Sequence, residues 1–153
     1  MRTASKGRQA GPADGGRPPE ARPAEGWWCA LRGWLTAWRE RRQAVRTSRT
    51  VLEIYRLVRS LSPDMSEREV YCWVVMNHAG IDLAQAQRVL HRVEASFGVW
   101  PPPRAVTLCD IAHYLTCREL SAEAPLASRV RPDIARVIQR HIPSELDAVA
   151  ARR

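Results

Sequence analysis

The apolar stripe of residues 82–97 limits what this chain can fold into more than any other feature. Its apolar residues recur at the spacing of one helix face, and they are Leu83, Ala86, Val89, Leu90, Val93 and Phe97. Asp82 suits the N-cap of this helix, and Gly98 suits its C-terminal end. Pro101–Pro103 then exclude a regular helix. Thr107 and Asp110 predict a capping box that starts another helix.

The other segments also have helical spacing, so we predict an all-α protein, a small helical bundle. Ser66 and Glu69 form a capping box that opens a helix of about twelve residues. Thr50 and Glu53 predict the start of the helix before it, with Leu61 on its inner face. Pro132 fits the first turn of an extra C-terminal helix. The positions that we expect to be buried together are Leu52, Tyr55, Val58, Trp73, Val89, Leu90, Val93, Phe97, Ile111 and Leu115.

Residues 80–115 carry an ordered set of family signatures. In order, the matching residues are Gly80, Asp82, Glu94, Phe97, Gly98, Val99, Pro101, Thr107, Leu108, Asp110, Ile111, Tyr114 and Leu115. The set resembles acyl carrier proteins, in which G-x-D-S-L opens the second helix, E-x-x-F-G-[IV] ends it and T-[LV]-x-D-[LI]-x-x-Y-[LI] opens the last helix. The resemblance covers about a quarter of the chain, and it implies an acyl-carrier-like bundle.

The residue on which carrier chemistry depends is absent from this chain. Acyl carriers attach phosphopantetheine to the Ser that follows the Asp, and Leu83 occupies that position here. No Ser or Thr lies between His78 and Ala95, so no neighbour can replace it. The resemblance therefore implies a degenerate carrier with no cofactor.

A second conspicuous pattern is an amphipathic helix rich in Trp and Arg, over residues 27–46. Its stripe consists of Trp27, Leu31, Trp34 and Trp38, at gaps of four, three and four. Its cationic residues are Arg32, Arg39, Arg41 and Arg42. Trp beside Arg is typical of helices that lie on a membrane surface or fill a partner's groove. We predict that residues 27–42 bind an anionic membrane surface or a protein partner; the alternative is that they pack on their own domain.

Positive charge is concentrated in the N-terminal third of the chain. The net charge is +8 over 153 residues, and residues 1–50 hold eleven basic and four acidic residues. Residues 1–26 carry almost no large apolar side chain, so we predict that they form a disordered basic arm. This arm would be a flexible basic segment that attracts anions, a secretion-type leader or an inert tail. The bundle core is expected over residues 50–118, and a C-terminal helical extension over residues 119–153.

Residues 67–95 also admit a different interpretation, a helix-turn-helix regulator that binds DNA. Its internal contacts would be Val75, Ala79, Ile81, Ala86 and Val89. Its DNA-contacting residues would be Gln85, Gln87, Arg88, His91 and Arg92. Residues 51–118 hold seven basic and seven acidic residues, so the N-terminal arm would have to neutralise the phosphates. A third possibility is an orphan helical domain without carrier ancestry.

No pattern of catalytic residues is present: there is no Ser-His-Asp set, glycine-rich phosphate loop or paired-carboxylate motif. Cys109, His113 and Cys117 recur every four residues, but buried thiols are ordinary core residues, so we expect packing rather than a metal site. No apolar run approaches the roughly 20 residues of a membrane span. We expect a non-enzymatic, cytoplasmic protein with free thiols, membrane-associated only if residues 27–42 bind lipid.

Overall fold

The computed structural model describes residues 24–97, 106–121 and 131–143, and all regular structure in these ranges is helical. The helices are α1 (Ala24–Leu61), α2 (Glu67–Ala79), α3 (Leu83–Phe97), α4 (Leu108–Leu120) and α5 (Pro132–His141). α1 packs against α2, α4 and α5, and α3 packs against α2 and α4. The prediction of a small all-α bundle is confirmed. Most of the predicted arm, the proline loop and the segment after Pro143 lie outside the described residues.

α1 is one unbroken helix of 38 residues, about 57 Å long, and this corrects the predicted boundary between residues 46 and 50. The predicted N-cap at Thr50 is wrong, because its hydroxyl donates a hydrogen bond of 3.2 Å to the Arg46 carbonyl oxygen one turn earlier. No Gly or Pro interrupts residues 34–61, so nothing in the sequence ends the helix there. The Trp/Arg segment and the first core helix are therefore a single element.

Three of the other predicted helix starts, at Ser66, Asp82 and Thr107, are confirmed by their capping hydrogen bonds, and α5 begins at Pro132 as predicted but without a side-chain cap. The Ser66 amide donates to Glu69 Oε2 at 2.9 Å, and the Glu69 amide donates to Ser66 Oγ at 3.3 Å. Thr107 and Asp110 form the same reciprocal box at the start of α4. Asp82 Oδ1 accepts from the Gln85 amide at 2.7 Å and so caps α3. Each cap satisfies amides that have no partner within their own helix.

The core is formed where the apolar faces of all five helices meet. Buried members that the spacing predicted are Leu52, Tyr55, Val89, Leu90, Val93, Ile111 and Leu115. Val58 is partly buried. Two predictions are wrong, because Trp73 and Leu61 are exposed by 44% and 73%. The side chain of Phe97 lies outside the described residues.

Two polar contacts tie the start of α5 to the rest of the bundle. The Arg131 guanidinium donates to both Glu40 carboxylate oxygens, at 3.1 and 2.8 Å. The backbone amide of Arg131 donates to His113 Nε2 at 3.1 Å. Burial lowers the pKa of His113, which keeps the imidazole neutral and able to accept this bond. The hydrogen bond to Glu40 raises the pKa of Arg131, so the guanidinium stays charged.

Candidate functional site

The first half of α1 stands clear of the core. No residue of the range 26–43 is buried by the described part of the chain, and Ala44 is the first buried residue of α1. The rings of Trp34, Trp27 and Trp38 are exposed by 61%, 53% and 44%. These rings therefore do not complete the core of the described bundle. Large exposed aromatic side chains in one patch are typical of interaction surfaces.

The exposed aromatic side chains contact one another and a neighbouring arginine. The rings of Trp27 and Trp28 are stacked, with their centroids 4.0 Å apart. The guanidinium carbon of Arg42 lies 4.8 Å from the centroid of the Trp38 ring. Such a cation–π contact holds the charge beside the ring without neutralising it. We call the surface formed by Trp27, Trp28, Arg32, Trp34, Trp38, Arg39, Arg41 and Arg42 the Trp/Arg face.

Trp38 and Arg42, at the C-terminal end of the Trp/Arg face, point away from the core side of α1. Successive residues of a helix are turned by about 100°, and Val51 is fully buried on the core side of α1. By this count Arg42 lies about 180° around the helix axis from Val51. Trp38 lies about 140° from Val51 on one side, and Arg46 about 140° on the other. Trp38 and Arg42 therefore lie where a flat partner can approach α1 from the side opposite its buried residues.

The positive charges of the Trp/Arg face are not neutralised by carboxylates of the described residues. Arg32, Arg39, Arg41 and Arg42 are all exposed, and none of them is ion-paired with a described carboxylate. Glu40 is the one acidic residue between Gly26 and Gln43, and it is engaged by Arg131 on another side of α1. The Trp/Arg face thus combines apolar rings with free positive charge, which suits an anionic partner.

The second predicted surface lies on α2 and α3. Gly80 joins these helices in the left-handed conformation, at φ 61° and ψ 39°, which favours glycine over other residues. Val75, Ala86 and Val89 are buried, while Ala79 and Ile81 are half-buried. The residues predicted to contact DNA, namely Gln85, Gln87, Arg88, His91 and Arg92, are all exposed. The exposure of these five residues agrees with the helix-turn-helix interpretation, although residues 62–97 hold five acidic residues against three arginines.

Leu83, the position that the resemblance to acyl carriers assigns to the prosthetic group, lies at the exposed start of α3. Leu83 is the first residue of that helix and is 50% exposed. An enzyme could reach this side chain, but it has no oxygen to form a phosphodiester bond.

We therefore expect the intact mass of the protein to stay unchanged after incubation with coenzyme A and a broad-specificity phosphopantetheinyl transferase. The matched variant is Leu83→Ser, which supplies the missing hydroxyl at the same exposed position. A gain of one pantetheine unit by the unaltered chain would show that another Ser is used and would contradict the alignment with acyl carriers.

A polar cluster that the sequence did not reveal lies between α1, α2 and α4. Glu119 accepts hydrogen bonds from Gln43 and from Thr47 Oγ1, the latter at 2.8 Å, and its Oε1 lies 3.6 Å from His78 Nε2. Burial lowers the pKa of His78, and the nearby carboxylate opposes that shift. The residues of this polar cluster come from segments more than 30 positions apart, so no local sequence pattern predicts the cluster. Across residues 24–97, 106–121 and 131–143, no three His, Cys, Asp or Glu side chains are placed to hold a metal ion.

Comparisons of the chain with protein-family models, with curated proteins and with solved structures found no match. Among the helices that the structure describes, none is both long enough and apolar enough to cross a bilayer. α1 has the length, but it holds eight arginines.

Proposed function

We propose that this protein is a non-enzymatic interaction module that docks on an anionic membrane surface through the Trp/Arg face. The observation that carries the proposal is the exposure of Trp27, Trp34 and Trp38 on a helix half that the described bundle leaves uncovered. Tryptophan side chains favour the boundary between headgroups and acyl chains. Arginines beside them add attraction to anionic lipid of about 1 kcal/mol each.

The resemblance to acyl carriers fits the same proposal. A carrier that lacks the prosthetic hydroxyl keeps only the ability to dock. The position of the docking face is different from that of the carrier family, because it lies on α1 and not at the start of α3.

The test is tryptophan emission on addition of vesicles, in a Trp73→Phe, Trp100→Phe background that leaves the four Trp residues of α1. We expect a blue shift with mixed phosphatidylglycerol and phosphatidylcholine vesicles, because the rings leave water for the interface. Salt should weaken the shift, since part of the attraction is electrostatic. Vesicles of phosphatidylcholine alone should produce a much smaller shift.

A set of alanine variants identifies the surface responsible. Replacing Trp27, Trp34 and Trp38 together should weaken vesicle binding by about tenfold or more, because each ring removes apolar area from water on docking. The matched control is Trp73→Ala, which removes an exposed ring from α2 and should leave binding unchanged. Membrane docking would be contradicted if anionic vesicles did not shift the tryptophan emission of the protein that keeps all four α1 rings. A protein groove would then remain as the partner.

A second candidate function is DNA binding through α2 and α3. It is favoured by the left-handed turn at Gly80 and by the exposure of all five predicted contact residues. The few basic residues around α3 weigh against it, because affinity for DNA depends largely on neutralised phosphates. A gel shift on duplex DNA at low salt tests it, with Gln85→Ala, Arg88→Ala and Arg92→Ala combined. If that variant still shifts duplex DNA in the gel, α3 is excluded as the helix that contacts the bases.

A further inference from the structure

The basic face of α1 continues beyond the Trp/Arg face into the half of the helix that belongs to the bundle. Arg39, Arg42, Arg46 and Arg49 follow one another at gaps of three, four and three, and so lie along one side of the helix. They span about 15 Å along its axis. Together with Trp38 they line one groove on the surface of α1. We call this row the Arg groove.

The guanidinium groups of the Arg groove are available to a ligand. Arg39, Arg42, Arg46 and Arg49 are all exposed, and none of the four is ion-paired with any residue in the described ranges. Glu53 is the only carboxylate among the described residues that line the groove, at its C-terminal end. Four uncompensated guanidiniums in a row favour an anion with several charges along a line or on a surface over a small ion with a single charge.

We propose that α1 lies lengthwise on an anionic bilayer and that the Arg groove binds the phosphates of lipid headgroups. This inference rests on the membrane docking proposed above and extends the contact from residues 27–42 to Arg46 and Arg49. Guanidinium groups suit phosphate because their planar fork donates two parallel hydrogen bonds to its oxygens.

The geometry of α1 allows both halves to touch one plane. Arg42 is directly opposite the buried Val51, so the groove and the core are on opposite sides of the helix. The guanidinium carbon of Arg42 lies 4.8 Å from the centroid of the Trp38 ring, so a charged group and an interfacial ring lie side by side on the outer side of α1. Long arginine side chains can extend along such a surface toward the phosphates.

The positive charge of the Arg groove also argues against a second copy of the chain as the partner that binds there. Self-association through this face would place the arginines of one copy near those of the other. Among the described residues that line the groove, Glu53 is the only one that could offset that repulsion. An anionic lipid surface supplies the compensating charge along the whole row.

The test compares two double variants of the full-length chain for binding to mixed phosphatidylglycerol and phosphatidylcholine vesicles. Arg46→Gln with Arg49→Gln removes two charges from the groove outside the Trp segment. Arg88→Gln with Arg92→Gln removes two equally exposed charges from α3, which packs against α2 and α4. Both variants change net charge equally, and Gln matches Arg in helix propensity. Circular dichroism verifies that each stays helical.

We expect the groove variant to bind these vesicles about 30-fold more weakly than the unaltered chain, and the α3 variant to bind within a factor of about two. Equal affinity of the two variants would overturn the inference. The membrane proposal would survive that result if binding still required Trp27, Trp34 and Trp38, and it would fail if the alanine variant of those rings also bound unchanged. A groove variant that loses binding to duplex DNA but keeps binding to vesicles would overturn the inference in favour of nucleic acid.

Discussion

Replacing Leu90 by alanine should lower the free energy of unfolding by about 2–5 kcal/mol. Leu90 is 1% exposed in the middle of α3, among side chains from the neighbouring helices. The truncation removes buried methyl groups and leaves a cavity that the surrounding helices fill only in part. Urea denaturation followed by circular dichroism measures the change.

The control is Leu83→Ala, which makes the same chemical change on the same helix at a half-exposed position. It should alter stability by no more than about 0.5 kcal/mol, because the side chain contributes little buried area. Equal losses for the two variants would mean that α3 does not face the core as described.

The second large effect is expected on α5, where Ile138→Ala should also cost about 2–5 kcal/mol. Ile134, Ile138 and Ile142 follow at gaps of four, and all three are buried, so one side of this short helix is fully apolar. α5 packs against α1 and α4 and is held at its start by the contacts of Arg131 with Glu40 and His113. The helix is therefore an integral part of the bundle and not an appendage to it.

Gln139→Ala supplies the comparison on α5, because Gln139 is exposed next to Ile138. Alanine is the better helix former, so this variant should be neutral or slightly stabilising. A loss below about 1 kcal/mol for Ile138→Ala would contradict the packing of α5, since cavity-forming substitutions in a core cost more than that.

Local signals in the sequence predicted most of the helix starts and most of the core. The boxes at Ser66–Glu69 and Thr107–Asp110 were readable because each follows a segment that cannot continue a helix. The same type of pair at Thr50 and Glu53 was misleading, since no Gly or Pro lies in residues 34–49 to end the helix before Thr50. A capping pattern therefore indicates a boundary only where a helix-breaking residue precedes it.

The wrong burial prediction at Trp73 arises from the distribution of apolar residues on α2. α2 carries apolar residues almost all around its axis, at Val70, Tyr71, Cys72, Trp73, Val74 and Val75. Periodicity cannot choose which side of such a helix faces the core. The bundle buries the other five, and the bulkiest side chain, Trp73, is on the outside. The contacts of Arg131 with Glu40 and of Glu119 with His78 join residues 91 and 41 positions apart, so only the folded chain brings them together.

Because α1 is unbroken, the number of residues between its two halves sets the direction of the Trp side chains relative to the core. Adding one residue between Gln43 and Ala44 would keep both halves helical, yet it would rotate the Trp side chains by about 100° relative to the core. Adding seven would return them to within about 20° of their original direction and move them about 10 Å outward. Length changes in this helix should thus be tolerated in steps of seven residues and not one at a time.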